Sequence, residues 1–279
     1  MKLVRVGAPG CERPAVLEAD GILRDLSAVV PDIDAALLAD LSVLPDPASL
    51  PVLDTTGLRY GPPLARPGKI VCVGLNYHDH ARETGAEIPT EPIVFMKAPD
   101  TVVGPNDTVL VPRTSLATDW EVELAIVIGR TAAYLTADQN PLDHVAGYTI
   151  SHDVSERDFQ LFRGGQWDKG KNCATFNPLG PWLVTADEVP DPQALALTLS
   201  VNGTLRQNGT TADMIFPVAF LVEYLSQFMT LYPGDVINTG TPAGVALGQP
   251  EPKPYLRAGD TVELAVTGLG TQRQTFADA

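Results

Sequence analysis

The stretch "DWEVELAIVIG", residues 119–129, reads as a β-strand whose side chains alternate between two faces. Trp120, Val122, Leu124, Ile126 and Ile128 make one uninterrupted apolar face, which has to be covered. The opposite face presents Glu121 and Glu123 and then turns apolar at Ala125 and Val127. Two carboxylates at i and i+2 lie on one side of a strand, about 7 Å apart along the backbone. A cation relieves their repulsion. On this segment alone two readings stand open: an amphipathic strand with a solvated acidic edge, or one side of a metal site.

The second reading gains from "HDVSERDFQ", residues 152–160, which follows the apolar run "VAGYTI". If that run is also a strand, Asp153 sits at its end and offers a third carboxylate. Three carboxylates completed by water form a hard-cation site, suited to Mg²⁺ or Mn²⁺ rather than to a thiolate zinc cage.

Much of the chain supports a mainly β, α+β architecture. Strand candidates recur from "KIVCVG" onward: "PIVFMK", "TVLVP", "LALTLSVNG", "GDVINTG" and "DTVELAVTG", with Asn202-Gly203 as a hairpin turn. One helix is expected from about Pro217 to Leu231, with Val218, Leu221, Val222, Leu225, Phe228 and Met229 on its apolar stripe. Before residue 65 the pattern is a small α+β unit: short strands, a turn at Asp20-Gly21 and a helical "DIDAALLADL". Proline clusters in "LPDPASLP" and "GPPLARPGK" place the boundary there, giving units 1–65 and 66–279.

Composition narrows the function classes. The chain has 279 residues, 44% hydrophobic and 19% charged, which excludes general disorder. Acidic residues exceed basic ones, 34 to 19, for a formal charge of -15. Nucleic acid and anionic membrane are therefore poor partners, since both require clustered Lys and Arg. No segment approaches the roughly 18 uninterrupted apolar residues of a spanning helix, and "MKLVRVGAPGCERP" lacks a signal-peptide core. Three widely spaced cysteines, Cys11, Cys72 and Cys173, fit a reducing compartment, so the cytoplasm is the expected location.

The motifs "GLNYHDHARE" (74–83), "DWEVELAIVIG", "HDVSERDFQ", "GKNCATFNPLGPW" (170–182), "VNGTLRQ" (201–207) and "PGDVINTGTPAGV" (233–245) resemble, in order and spacing, those of the fumarylacetoacetate hydrolase family. The resemblance spans residues 66–279, and the leading unit resembles the small N-terminal domain of many bacterial members. It implies a mixed β-sandwich roll, a homodimer, a small anionic substrate and one Mg²⁺ or Mn²⁺ per active site. The family's metal ligands fall on Glu121, Glu123 and Asp153, the three that the strand argument selects. Its His and Glu dyad falls on His80 and Glu83, i and i+3 neighbours if this segment is helical. The dyad would activate water.

By the same resemblance Lys171 is the active-site lysine that would stabilise an enolate, and Gln160, Gly240 and Thr241 lie at the substrate, the last two near its carboxylate. The implied reaction is hydrolysis of a carbon–carbon bond in a 2,4-dioxo, acylpyruvate-like acid, with decarboxylation or tautomerisation of a 2-oxo acid as the alternative within the family. A metal-binding protein without catalysis is the alternative from another class. The fuller segment "ERDFQLFRGGQWDKGK" is more similar to bacterial members acting on sugar-derived diketo acids, whereas Cys173 and Asn177 stand where relatives vary. Beside these matched positions, Arg157 stands open between a place near the substrate and a structural pair with Asp158, Lys169 and His78 are expected to be solvated, and His144 and His152 to be structural or solvated.

Overall fold

The computed structural model describes residues 1–54 and 57–279. Its centre is the strand Val122–Ile128, every residue of which is buried. Both neighbours pair with it antiparallel: Val145–His152 on one side and Val236–Asn238 on the other. From this triplet a ten-stranded mixed sheet extends outward. In one direction come Asn177–Thr185, Lys2–Val6, Arg13–Leu17 and Leu23–Asp25; in the other come Ile70–Gly74 and the edge strand Ile93–Lys97. The short Val102–Val103 strand joins through Asn177–Thr185. The strands of the leading unit thus continue the same sheet through the pairing of Lys2–Val6 with Asn177–Thr185.

A second sheet of five strands, running Thr204–Thr210, Ala196–Val201, Thr261–Val266, Gly270–Asp278 and Val109–Val111, covers one face of the first. Alternation decides which face. Val122, Leu124, Ile126 and Ile128 share a core with Leu197, Leu199, Val262 and Leu264 of the second sheet and with the helix Val218–Ser226. Ala125 and Val127 point the other way, into a core with Ile70, Cys72, Leu183 and Val236, closed by Leu37 and Leu38 of the helix Ala35–Ala39. The central strand is therefore sandwiched between two cores, and its glutamates belong to the second.

The hairpin at Asn202-Gly203 has φ of 49° and 75°, the left-handed pair that a two-residue turn requires. Asp20-Gly21 also turns as expected, with Asp20 accepting a bond from the N–H of Ile22. The long helix is shorter than its apolar stripe suggests and ends at Ser226. The chain leaves the axis there because Leu231 is drawn into reciprocal 2.9 Å backbone bonds with Ala132, which leaves Phe228 66% exposed. No helix among the described residues is long and apolar enough to cross a membrane.

Leu124 tests the sandwich, because it is fully buried between the sheets. Leu124→Ala should lower stability by about 2–5 kcal/mol, read as a lower urea midpoint with an unchanged slope.

Candidate active site

Antiparallel register brings the three carboxylates together. Ser151 pairs with Glu123 and His152 with Val122, so Asp153 falls opposite Glu121, and its N–H bonds to the Glu121 carbonyl at 3.0 Å. Residues 121, 123, 151 and 153 share one face. Glu121, Glu123 and Asp153 are all buried, and one oxygen of each lies within 4.8 Å of the others.

Buried carboxylates need partners, and the structure supplies three cations. Lys171, at the end of the one-turn helix Asp168–Lys171, donates to Glu121 Oε2 at 2.7 Å and to Asp153 Oδ2 at 2.9 Å. Arg157 donates to Glu121 Oε1 at 2.6 Å, to Asp119 Oδ2 at 2.8 Å and to Gln160 Oε1 at 3.0 Å. Lys97, fully buried on the edge strand, bonds to Asp153 Oδ1 and to the Val154 carbonyl. Burial pushes the Glu121 carboxyl up, but Lys171 and Arg157 outweigh it and hold the group down at about 2. The reverse holds for Glu123, which accepts from the N–H of Gly240 at 2.8 Å but touches no cation among the described residues. Burial first, then the charges of Asp153 and Glu121, drive its carboxyl well above the usual range.

That imbalance fits a divalent ion. The donor set is all oxygen, which favours Mg²⁺ or Mn²⁺, and a cation would remove the repulsion that Glu123 carries.

The dyad lies on the helix His78–Thr84, which ends at Gly85 in the left-handed conformation. His80 Nδ1 is 3.4 Å from Glu83 Oε2, and Glu83 is anchored by the N–H of Gly244 at 3.0 Å. His80, Glu121, Glu123, Lys171, Gln160, Gly240 and Thr241 all line one cavity of about 220 Å³. Asp153 lies just behind it, fully buried. Gly240 has φ of 93°, and a Cβ there would come within 2.8 Å of Asn76 Cβ, so a larger residue would shift the bond to Glu123. The Thr241 hydroxyl is spent within the protein: it donates to the Val122 carbonyl and accepts from Gln207 Nε2, both at 2.8 Å.

Two readings of the sequence change, the Arg157–Asp158 pair and the solvation of His78. Arg157 does not pair with Asp158, which instead binds Arg163 at 2.7 Å; the Arg157 side chain turns inward to Asp119 and Glu121. His144 is structural, its Nδ1 facing the Thr131 carbonyl at 3.0 Å, and His152 is buried against Gln274 Oε1 at 3.0 Å. His78 is half-buried and Lys169 exposed. Two residues of the charged network escaped the sequence reading. Asp119 shares the parity of Glu121 and Glu123, and it also accepts from the N–H groups of Ala246 and Leu247. Lys97 shares the parity of Ile93 and Phe95 on a strand whose other side chains point away.

The edge strand is clipped from its open side. Asp168 accepts from the N–H of Met96 at 3.1 Å, and Asn172 donates to the Met96 carbonyl at 3.0 Å and accepts from the N–H of Ala98. These two residues flank Lys171, so the strand bearing Lys97 and the turn bearing Lys171 are tied together.

Comparison with known proteins identifies the family. The family model described as fumarylacetoacetate (FAA) hydrolase C-terminal matches residues 69–277. The chain belongs to the fumarylacetoacetate hydrolase family. Among relatives of this family member, a protein named 2,4-didehydro-3-deoxy-L-rhamnonate hydrolase from a Sphingomonas species is 51% identical, over 100% of this chain and 96% of its own. The fumarylacetoacetate hydrolase of Exiguobacterium antarcticum superposes with a TM-score of 0.89 at 36% identity, covering 100% of both chains. The maleylpyruvate hydrolase of a Sphingobium species, solved with manganese(II) and pyruvate, gives 0.82 at 27% identity, again over 100% of both chains.

Glu123 provides a test of the electrostatics in this family member. A carboxyl raised in the folded state stabilises the fold fully below its ordinary value of 4.5, and that contribution is lost as pH rises through the raised value. In chelator-treated protein, Glu123→Gln should therefore be more stable than the parent at pH 8 and should flatten the fall in melting temperature above about pH 4.5. Calorimetric titration of the variant with Mn²⁺ should show affinity at least about 10-fold weaker. Undiminished affinity would remove Glu123 from the ligand set.

Proposed function

We propose that the chain is a divalent-metal-dependent hydrolase that cleaves a carbon–carbon bond in a 2,4-dioxo acid. The observation that carries this reading is that His80, backed by Glu83, and the Lys171–Glu121 pair, backed by Asp153, line one cavity. The named substrate of the Sphingomonas relative, itself a 2,4-dioxo sugar acid, supports the class.

Glu121, Glu123 and Asp153 would hold the ion, which when bound supplies Lewis acidity toward the oxygens of a 2-oxo acid. His80 takes a proton from water as the oxygen attacks C4, and Glu83, fixed by Gly244, orients the imidazole and steadies its positive charge. The C3–C4 bond then breaks, and its electron pair passes into the 2-oxo group as an enolate. Lys171 faces that developing charge from a buried position; Asp153 and Glu121 keep its ammonium protonated by outweighing the burial that opposes it. Solvent water protonates C3 to release the 2-oxo acid, C4 leaves as a carboxylate, and His80 returns its proton to solvent. Gln160, whose oxygen is held by Arg157, has its NH₂ end left to donate to substrate. Thr241 would meet the substrate carboxylate through its backbone N–H, since its hydroxyl is committed elsewhere and the Gly240 N–H already donates to Glu123; Gly240 contributes close approach.

Lys171→Met should leave Mn²⁺ bound but reduce the turnover of acetylpyruvate by about 10²–10³-fold. Wild-type rates would make the lysine structural.

His80 separates hydrolysis from enolate chemistry. His80→Ala should abolish cleavage of acetylpyruvate yet retain exchange of pyruvate methyl protons with D₂O, followed by NMR, above the metal-free control. Loss of both would favour a tautomerase or decarboxylase in which His80 handles the proton on C3. Retention of both would remove His80 from the mechanism.

A further inference from the structure

The cavity has a second half that the mechanism does not use. Beyond the acidic cluster its wall is apolar: Leu75, Ile93, Phe95, Leu161, Trp167 and Leu247. This wall is built in place. Trp167 packs directly on Gly74, where an added Cβ would lie 2.4 Å from the indole, and it meets Phe95 edge-on with ring centroids 5.6 Å apart. The Lys171 ammonium lies 5.0 Å from the Phe95 ring centroid, so the apolar wall begins at the catalytic lysine.

Charge sets the second constraint. Among the described residues, Lys171 and Arg157 are the only Lys or Arg side chains lining the cavity, and each is already bonded to two carboxylates at the acidic end. The connected network comprises Asp119, Glu121, Glu123 and Asp153 against Lys97, Arg157 and Lys171. With a divalent ion held by the carboxylates, four negative charges would face three positive side chains and the ion, leaving one positive charge. A substrate with one carboxylate at its head balances that charge. A second carboxylate at the far end would have to lie against Trp167, Ile93 and Leu161 without a free cation, which is costly.

We propose that this site selects a 2,4-dioxo acid whose tail beyond C4 is short and uncharged, an alkyl or hydroxyalkyl group packed on Trp167, Phe95 and Ile93, and that it rejects a terminal carboxylate. The class of the head group rests on the function proposed above; the tail preference rests on the apolar wall and the absence of a free cation.

The test uses matched pairs of equal length. The ratio of kcat/KM for 2,4-dioxoheptanoate over 2,4-dioxoheptanedioate should be at least about 100, the order expected when a charge must be buried without a partner. In parallel, protein in excess Mn²⁺ is titrated calorimetrically with 2-oxohexanoate and 2-oxohexanedioate, and the first should bind at least about 10-fold tighter. If neither dioxo acid is cleaved but the binding preference persists, the reaction assignment fails and the tail selectivity stands. Equal or tighter binding of the dicarboxylate overturns the selectivity.

Leu161→Arg, at a half-buried position ending a short helix, and Ile93→Arg, half-buried on the edge strand, each add an unpaired cation to the wall. In whichever variant keeps the parental melting temperature, the preference should shrink at least 10-fold. An unchanged preference in a folded variant would show that these residues do not set the tail's charge.

Discussion

The backbone bond from Asp153 to Glu121 is the constraint on which the rest of the site depends. It fixes the register of two central strands so that three acids converge at one end of a buried face, where water cannot screen them. Such a cluster can persist only if cations come with it. Removing one partner from a buried ion pair typically costs about 3–5 kcal/mol, because the remaining charge is stranded. Lys97, Arg157 and Lys171 arrive from three separate segments, and each segment is held by this requirement. Activity and local structure therefore share the same bonds.

The two-core sandwich explains why the cluster can be dry without being central. Val122, Leu124, Ile126 and Ile128 anchor the strand between the sheets, while Ala125 and Val127 take up its other face below the acids. Side chains as small as these leave room above for Gly240 to approach and donate to Glu123. The same strand thus anchors one core, floors the other and presents Glu121 and Glu123, by nothing more than its period of two.

How much of this could be read from the residues alone depends on distance along the chain. Local signals carried well: the alternation in 119–129, the i and i+3 spacing of His80 and Glu83, and the Asn202-Gly203 turn all reflect interactions within a few residues. The mixed β-sandwich roll came with the motif order. What stayed hidden were partners far apart in sequence, such as Lys97 with Asp153 across 56 positions and Arg157 with Asp119 across 38. Asp158, adjacent to Arg157, stood open as its partner because proximity in sequence was the one geometry available; burial of the guanidinium decided otherwise. The helix end at Ser226 was similarly set by a remote bond, from Leu231 to Ala132, rather than by its own apolar stripe.

The clip formed by Asp168 and Asn172 has a consequence beyond alignment. The edge of a large sheet offers open N–H and C=O groups that another extended chain can join, a common start for aggregation. Here two side chains satisfy three of those groups along Met96 and Ala98, so the strand that walls the cavity is closed to intruders without being given another strand. The turn that delivers Lys171 to the acidic cluster is also what closes this edge of the sheet, which ties colloidal behaviour to the integrity of that cluster.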